Sequence, residues 1–176
     1  AEAEPEFDYF TAVDDAVRDA EETGAGMIGT VEMMSSTLYR YATVNLDGLT
    51  ENLGDTEAAI KATREFVASF ISSMPTGKQN TFANRTLPEA VIVSVREDRP
   101  VSWVNAFETP VSQNAESGLR EQTARQLAEE ATAIDDIYDA APRASWVMAL
   151  PALKTELEKL GESVNRTALL LSLIHI

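Results

Sequence analysis

The stretch at residues 75–84, PTGKQNTFAN, collects side chains that donate hydrogen bonds to anionic oxygen atoms. Lys78 contributes an ammonium, Gln79 and Asn80 contribute amides, and Thr81 contributes a hydroxyl. Such groups contact phosphate and sugar oxygens without reading the edges of bases. The Pro and Gly that precede them predict a turn. Two interpretations stay open, a loop that binds a phosphate backbone and an ordinary polar turn.

Arg40 poses a second chemical question. In TLYRYATVNL, residues 37–46, it falls on the same side of the alternating pattern as Leu38 and Ala42. A guanidinium among apolar side chains needs a partner or a route to the surface. A carboxylate inside the fold and a phosphate of a bound polymer would both serve, and the sequence does not choose between them.

The segment MIGTVEMMSS, at residues 27–36, is an apolar run that Gly29 interrupts. An isolated glycine in an extended pattern marks a bulge or a close approach by another group. Four apolar residues, Met27, Ile28, Met33 and Met34, are interpreted in two ways. They are either core residues or, in a glycine-flanked extension, apolar wedges against bases.

Catalytic patterns are missing from the sequence. The Gly-Lys of PTGKQ lacks the upstream glycine and the following Ser or Thr of a phosphate-binding loop. The pairs Asp14-Asp15 and Asp135-Asp136 are adjacent in helical patterns, so their carboxylates diverge and a solvated face is favoured over metal binding. The single histidine, His175, is interpreted as incidental. The sequence predicts no enzyme activity, no cofactor and no metal.

Composition sets the remaining limits. The chain has 176 residues, 29 acidic against 14 basic side chains, a net charge of −15 and no cysteine. That charge repels polyanions and anionic membranes, and the lack of cysteine fits a reducing compartment, so we expect a cytoplasmic protein. The start AEAEPEF, without Met or a leader, favours a fragment or a processed product. The apolar stretch at 168–176 is far shorter than the roughly 20 residues of a membrane span, and is expected to be a buried end or a foreign tail.

Periodicity predicts a mixture of strands and helices. Phe7, Phe10, Val13 and Val17 follow a helical spacing, and strict alternation predicts a strand over 37–46. Further predictions are a helix over 55–74, a hairpin of strands 89–95 and 101–107, a helix over 119–138 and a final helix that opens at Pro151. The sequence therefore indicates an α+β fold.

Four blocks occur in a recognisable order and spacing: FTAVDD, YRYATVNLDGLTENLG, GKQNTFA and NAFE. Together they resemble the C-terminal half of CasC, the repeated backbone subunit of the type I-E CRISPR Cascade surveillance complex. The resemblance spans about residues 8–110. It implies a subunit without nuclease activity that polymerises along a guide RNA, with copies of itself and other Cascade subunits, and that meets target DNA indirectly.

The same resemblance implies roles for individual residues. Ile28 takes the position of an apolar wedge in the returning segment of an extended thumb, with Met27, Gly29 and Thr30 beside it. Lys78 and Gln79 match a basic and amide turn that contacts guide phosphates, and Asn80 stands where relatives can carry a basic residue.

The expected fold is α+β, an incomplete ferredoxin-like palm of the RNA-recognition type, with helices and an extended thumb. The expected domains are a thumb-like segment at 1–36, the C-terminal part of the palm at 37–165 and an uncertain tail at 166–176. The predicted RNA-binding residues are Met27, Ile28, Gly29, Thr30, Arg40, Lys78, Gln79, Asn80 and Thr81. The alternative is an acidic protein-interaction module that makes no contact with RNA.

Overall fold

The computed structural model describes residues 5–12, 27–112 and 117–176, which contain both strands and helices. The elements are strands β1 (Pro5–Ala12) and β2 (Met27–Met34), helices α1 (Leu46–Leu53), α2 (Thr56–Ser72) and α3 (Gln79–Phe82), strand β3 (Ala90–Val95), helix α4 (Leu119–Ile137), strand β4 (Ala144–Ala149), helix α5 (Pro151–Leu157), strand β5 (Glu162–Ser163) and helix α6 (Arg166–Ser172). Single 3-10 turns occupy Val104–Phe107, Glu158–Leu160 and Leu173–His175.

The strands form two separate sheets. β1 and β2 make an antiparallel ribbon, in register from Pro5↔Met34 to Ala12↔Met27. The second sheet has the order β3-β4-β5. In it β3 runs antiparallel to β4, and β4 runs parallel to β5. A parallel pair requires a crossover connection, and α5 lies in that connection.

Helices α4 and α5 cover one face of the three-stranded sheet. Ala124 and Ala128 of α4 pack with Val147 of β4 and with Leu153 and Leu157 of α5. Ala128 and Val147 are completely buried, because small side chains on α4 let that helix approach the strand closely. This cluster is the first of two apolar cores.

Helices α2 and α6 cover the opposite face. Because successive side chains of a strand point to opposite sides, Trp146 turns away from its neighbour Val147 and packs with Ile71 of α2 and Leu169 of α6. Leu173 is also buried in this second core. The sheet is therefore a middle layer between two pairs of helices.

An ion-pair group fastens the end of β3 to α4. The side chain of Arg96 is 7% exposed and lies 3.0 Å from an Asp135 carboxylate oxygen and 3.1 Å from one of Asp98. The guanidinium also donates to the carbonyl of Ala140. Since a buried cation without such partners is costly, this group fixes the exit of β3.

Several sequence predictions are confirmed. The Asp55 side chain accepts a hydrogen bond from the Ala58 N–H at 3.1 Å and caps α2, which ends before Pro75. Strand β3, helix α4 and the opening of α5 at Pro151 also agree with the predictions. The mixed α+β class is confirmed. The three strands of the described sheet do not by themselves establish a ferredoxin-like arrangement, which stays a prediction, as do the domain boundaries.

The strand predicted over 37–46 is wrong. Residues 35–45 have no regular secondary structure, and Leu46 opens α1. Asn45 caps that helix, since its side-chain oxygen accepts from the Gly48 N–H at 3.0 Å. Alternation shows which side chains share a face, but a strand also needs a neighbour for its backbone groups. None of the described strands pairs with this segment.

Two further predictions are wrong. The segment 101–107 is not a strand of a hairpin, because β3 pairs with β4 and Val104–Phe107 forms a 3-10 turn. Phe7 and Phe10 lie in β1 instead of a helix, because pairing with β2 overrides their helical spacing. Val13 and Val17 lie outside the described residues. Within the described ranges, no helix is both long and apolar enough to cross a bilayer.

Candidate nucleic-acid interface

The loop between α2 and β3 positions Lys78, Gln79, Asn80 and Thr81 together. The Lys78 carbonyl accepts hydrogen bonds from the N–H groups of Thr81 and Phe82, each at 3.0 Å, and these bonds close the single turn of α3. Lys78 and Ala83, on either side of that turn, have the positive φ angles 56° and 52°. Residues with a Cβ rarely adopt this conformation. The backbone of the loop therefore has a defined shape.

Exposure divides the loop into an inner and an outer side. Gln79 and Phe82 are half-buried, whereas Lys78, Asn80 and Thr81 are exposed. The outer side thus presents an ammonium, an amide and a hydroxyl to solvent. This arrangement fits both interpretations from the sequence, a loop that binds a phosphate backbone and an ordinary polar turn.

Arg40 lies at the end of the helix that leads into the loop. Its Nη1 donates to the Ser73 carbonyl oxygen at 2.8 Å, and its guanidinium carbon lies 4.3 Å from the centre of the Phe70 ring. A cation at the C-terminus of α2 also interacts favourably with the helix dipole. The Arg40 side chain is exposed, so it is not a buried cation that needs a carboxylate partner inside the fold.

The β1–β2 ribbon exposes its large apolar side chains. Ile28 and Tyr9 are each 71% exposed, and Met27 is 56% exposed. Ile28 pairs with Thr11, and Thr30 pairs with Tyr9. Because paired residues of an antiparallel ribbon share a face, Ile28, Thr30 and Tyr9 lie on one face and Met27 on the other. The segment 27–34 is extended, as predicted.

Gly29 is explained by a contact inside the ribbon. It pairs with Phe10, and a Cβ added to Gly29 would lie 2.4 Å from Cζ of the Phe10 ring. The aromatic ring therefore covers the glycine from the opposite strand. The close approach predicted from the sequence involves a side chain of this chain.

The structure does not join the ribbon to the loop. Between the described residues, no hydrogen bond, ion pair or ring contact connects β1 or β2 with residues 75–85. The predicted residues thus form two surfaces, one apolar and one cationic. No group of three or more His, Asp or Glu side chains in the described ranges could bind a metal ion.

An aromatic cluster beside Arg40 was not predicted. The ring of Tyr39 lies 5.5 Å from that of Phe107 and 6.5 Å from that of Tyr41, centre to centre. The Tyr39 hydroxyl accepts a hydrogen bond from the backbone N–H of Trp103 at 3.2 Å. Partial burial, and to a lesser extent Tyr39, raises the pKa of Tyr41 above its ordinary value. The repeated tyrosines of YRY were the available signal.

Arg85 was also missed. Arg85 is exposed and immediately follows Asn84, the last residue of the stretch 75–84. The Asn84 side chain donates to the Gly77 carbonyl oxygen at 3.4 Å. A second cation seven residues after Lys78 was visible in the sequence, but only this contact shows that the two ends of the loop meet.

The fold and these two surfaces define an α+β scaffold with an exposed apolar ribbon and a cationic loop. The sequence model of the CT1975-like protein family matches residues 1–173, so the chain belongs to that family. No curated protein matches the chain.

Two solved structures are similar over almost the whole chain. A chain described as "CRISPR RNA-guided surveillance complex" is 34% identical, with a TM-score of 0.82, over 97% of this chain and 65% of that chain. A chain described as "CRISPR RNA-guided surveillance complex, pre-nicking" is 35% identical, with a TM-score of 0.84, over 98% of this chain and 46% of that chain. This chain therefore spans about two thirds of the first and less than half of the second.

The resemblance drawn from the sequence is confirmed at the level of the family and of the surveillance-complex chains. The type I-E subtype stays a prediction. So does contact between RNA and each of the nine predicted residues.

Proposed function

We propose that this chain is part of a non-catalytic backbone subunit of a CRISPR Cascade surveillance complex. In this role the protein binds guide RNA, polymerises along it beside copies of itself and other Cascade subunits, and supports recognition of target DNA in antiviral defence. The observation that carries the proposal is the likeness, in sequence and in fold together, to two chains of CRISPR RNA-guided complexes.

The cationic loop suits the phosphate backbone of the guide. Lys78, Asn80 and Thr81 point outward and donate hydrogen bonds without a shape that would select a base. Gln79 lies in the same turn but is half-buried, so its amide has less freedom than the three exposed side chains. Such a contact works for any guide sequence, which a guide-binding protein requires because base pairing reads the sequence.

The apolar ribbon suits the bases. Ile28 is exposed in a strand that carries no charged neighbour next to it, since Met27 precedes it and Gly29 follows. An apolar side chain of this kind can insert between stacked bases and separate them. Thr30 lies on the same face and offers a hydroxyl beside the wedge.

Arg40 acts as a positioning residue in this proposal. Its hydrogen bond to Ser73 and its place over Phe70 connect the segment 35–45 to the end of α2. That end leads directly into the loop, so the contact fixes the direction in which Lys78 emerges. The remaining N–H groups of the guanidinium can face the same RNA strand.

The proposal is tested by the salt dependence of guide-RNA binding. The complete protein is titrated with guide RNA at several salt concentrations, and the slope of log K against log[salt] is measured. For a single strand each neutralised phosphate contributes about −0.7 to the slope. Lys78→Gln should therefore make the slope shallower by about 0.7. Lys154→Gln is the matched control, because Lys154 lies on α5, across the sheet from α2.

Two results would contradict the proposal. A wild-type protein with no salt-dependent affinity for guide RNA would favour the acidic protein-interaction module. If the Lys78→Gln variant has the wild-type salt slope, the loop is not part of the RNA interface.

A further inference from the structure

We propose that Arg85 is a second phosphate-binding cation, and that the loop presents Lys78 and Arg85 side by side to neighbouring phosphates of one single-stranded RNA. This inference rests on the proposed function and extends its site by a residue that neither the motif nor the resemblance includes.

Two cations of this loop are not neutralised by a carboxylate of the described residues, a property they share with Arg40, Lys61, Arg99, Lys154 and Arg166. Six basic side chains elsewhere form ion pairs with carboxylates: Arg64, Arg96, Arg120, Arg125, Arg143 and Lys159. Within the described residues, neither Lys78 nor Arg85 forms an ion pair, although acidic side chains are twice as numerous as basic ones in the sequence. Both side chains are exposed. Their charges are therefore available to an external anion.

The geometry of the loop brings the two cations together. The Asn84 side chain reaches the Gly77 carbonyl oxygen at 3.4 Å, so residues 77 and 84 are neighbours in space. Lys78 follows the first of these residues and Arg85 follows the second. Both cations therefore leave the loop beside the point where it closes.

Hydrogen bonds of the backbone hold this closed shape. The Ala83 N–H donates to the Gln79 carbonyl at 3.0 Å, and the Arg85 N–H donates to the Ala83 carbonyl at 2.7 Å. The positive φ angles of Lys78 and Ala83 are unfavourable for residues with a Cβ, and such conformations persist where the surroundings determine them. A fixed loop loses little conformational entropy when it binds a flexible polyanion.

The experiment compares single and double variants of the complete protein with guide RNA. Arg85→Gln and Lys78→Gln should each make the salt slope shallower by about 0.7, and the double variant by about 1.4. Arg85→Lys keeps the charge and should keep the wild-type slope. Lys154→Gln is again the matched control, because Lys154 is exposed, forms no ion pair among the described residues and lies on α5, on the other side of the sheet.

The outcomes separate this inference from the proposed function. If Lys78→Gln makes the salt slope shallower and Arg85→Gln does not, Arg85 is not a phosphate contact and the proposed function stands. If Arg85→Lys behaves like Arg85→Gln, the charge is not what matters and the inference is overturned. If the wild-type protein shows no salt-dependent binding, the proposed function itself fails. A melting temperature for each variant excludes loss of folding as the cause.

Discussion

The β1–β2 ribbon and the β3–β4 pair are both antiparallel, yet they differ completely in burial. Val147 of β4 is 0% exposed and lies between two layers of helices, whereas Ile28 of β2 is 71% exposed. A two-stranded ribbon by itself is marginally stable in water. The sheet therefore stabilises the fold, whereas the ribbon presents apolar side chains to solvent.

The first prediction concerns the core of the sheet. Leu157→Ala should lower the free energy of unfolding by about 2–5 kcal/mol, because Leu157 is 1% exposed and its loss leaves a cavity. Ile28→Ala should change that free energy by less than about 0.5 kcal/mol. Urea unfolding of both variants measures the difference. Similar losses of unfolding free energy at Leu157 and Ile28 would show that the ribbon is packed against the rest of the fold. The ribbon and the sheet would then not differ in burial as described.

The second prediction compares two close approaches to glycine. A Cβ on Gly161 would lie 2.5 Å from the Ser145 carbonyl oxygen, at the point where β5 meets β4. Backbone atoms cannot move aside, so Gly161→Ala should cost about 1–3 kcal/mol. In the ribbon the obstacle to Gly29→Ala is the half-exposed ring of Phe10, which can rotate away, so that change should cost less than about 1 kcal/mol.

Gly77→Ala is the control for both changes. Gly77 is exposed and lies outside the left-handed region, and apart from its chain neighbours no atom of the described residues lies within 4 Å of its added Cβ. Its effect should stay within about 0.5 kcal/mol by urea unfolding. A loss at Gly29 as large as that at Gly161 would mean that Phe10 is fixed in place and that the ribbon is as rigid as the sheet.

The smallest effect is expected at the edge of the sheet, in its pH dependence. The backbone N–H of Arg99, and after it the guanidinium of Arg96, lower the pKa of Asp98. A lowered pKa in the folded state stabilises the protein above the unfolded pKa of about 4, and this contribution disappears as the pH falls through the folded pKa. The stability advantage of wild type over Asp98→Asn should therefore be constant near neutral pH and shrink below about pH 4.

Urea midpoints measured from pH 7 to about pH 3 check this prediction. A difference between the two proteins that does not change over that range would mean that the Asp98 carboxylate gains nothing from its partners.

Local sequence signals were sufficient to predict an element whose own residues determine where it begins and ends. Asp55 and Pro75 bracket α2 in the sequence, and the helix lies between them. The apolar run of β3 was equally clear. The start of α1 was missed, because the alternation of residues 37–46 concealed the capping role of Asn45.

Long-range pairing was not predictable in the same way. β3 finds its antiparallel partner in β4, where Ala90 pairs with Ala149, and no local pattern encodes a partner so distant. The adjacent run at 101–107 is nearer in the sequence, so local reasoning favours it as the partner of β3. Phe7 and Phe10 fit a helical spacing equally well, and only the pairing with β2 decides the outcome.

The candidate site was predicted in part. The cluster from Lys78 to Thr81 was found because its residues are consecutive in the sequence. The partners of Arg40 at Ser73 and Phe70, and the contact that brings Arg85 towards Lys78, depend on the folded chain and were not found.

The segment 35–45 has a practical consequence. It runs without a pairing partner among the described strands and leaves Leu38 79%, Tyr41 44% and Val44 37% exposed. Exposed apolar side chains on a segment without regular structure favour association between molecules. Purified on its own, the chain should therefore self-associate at high concentration.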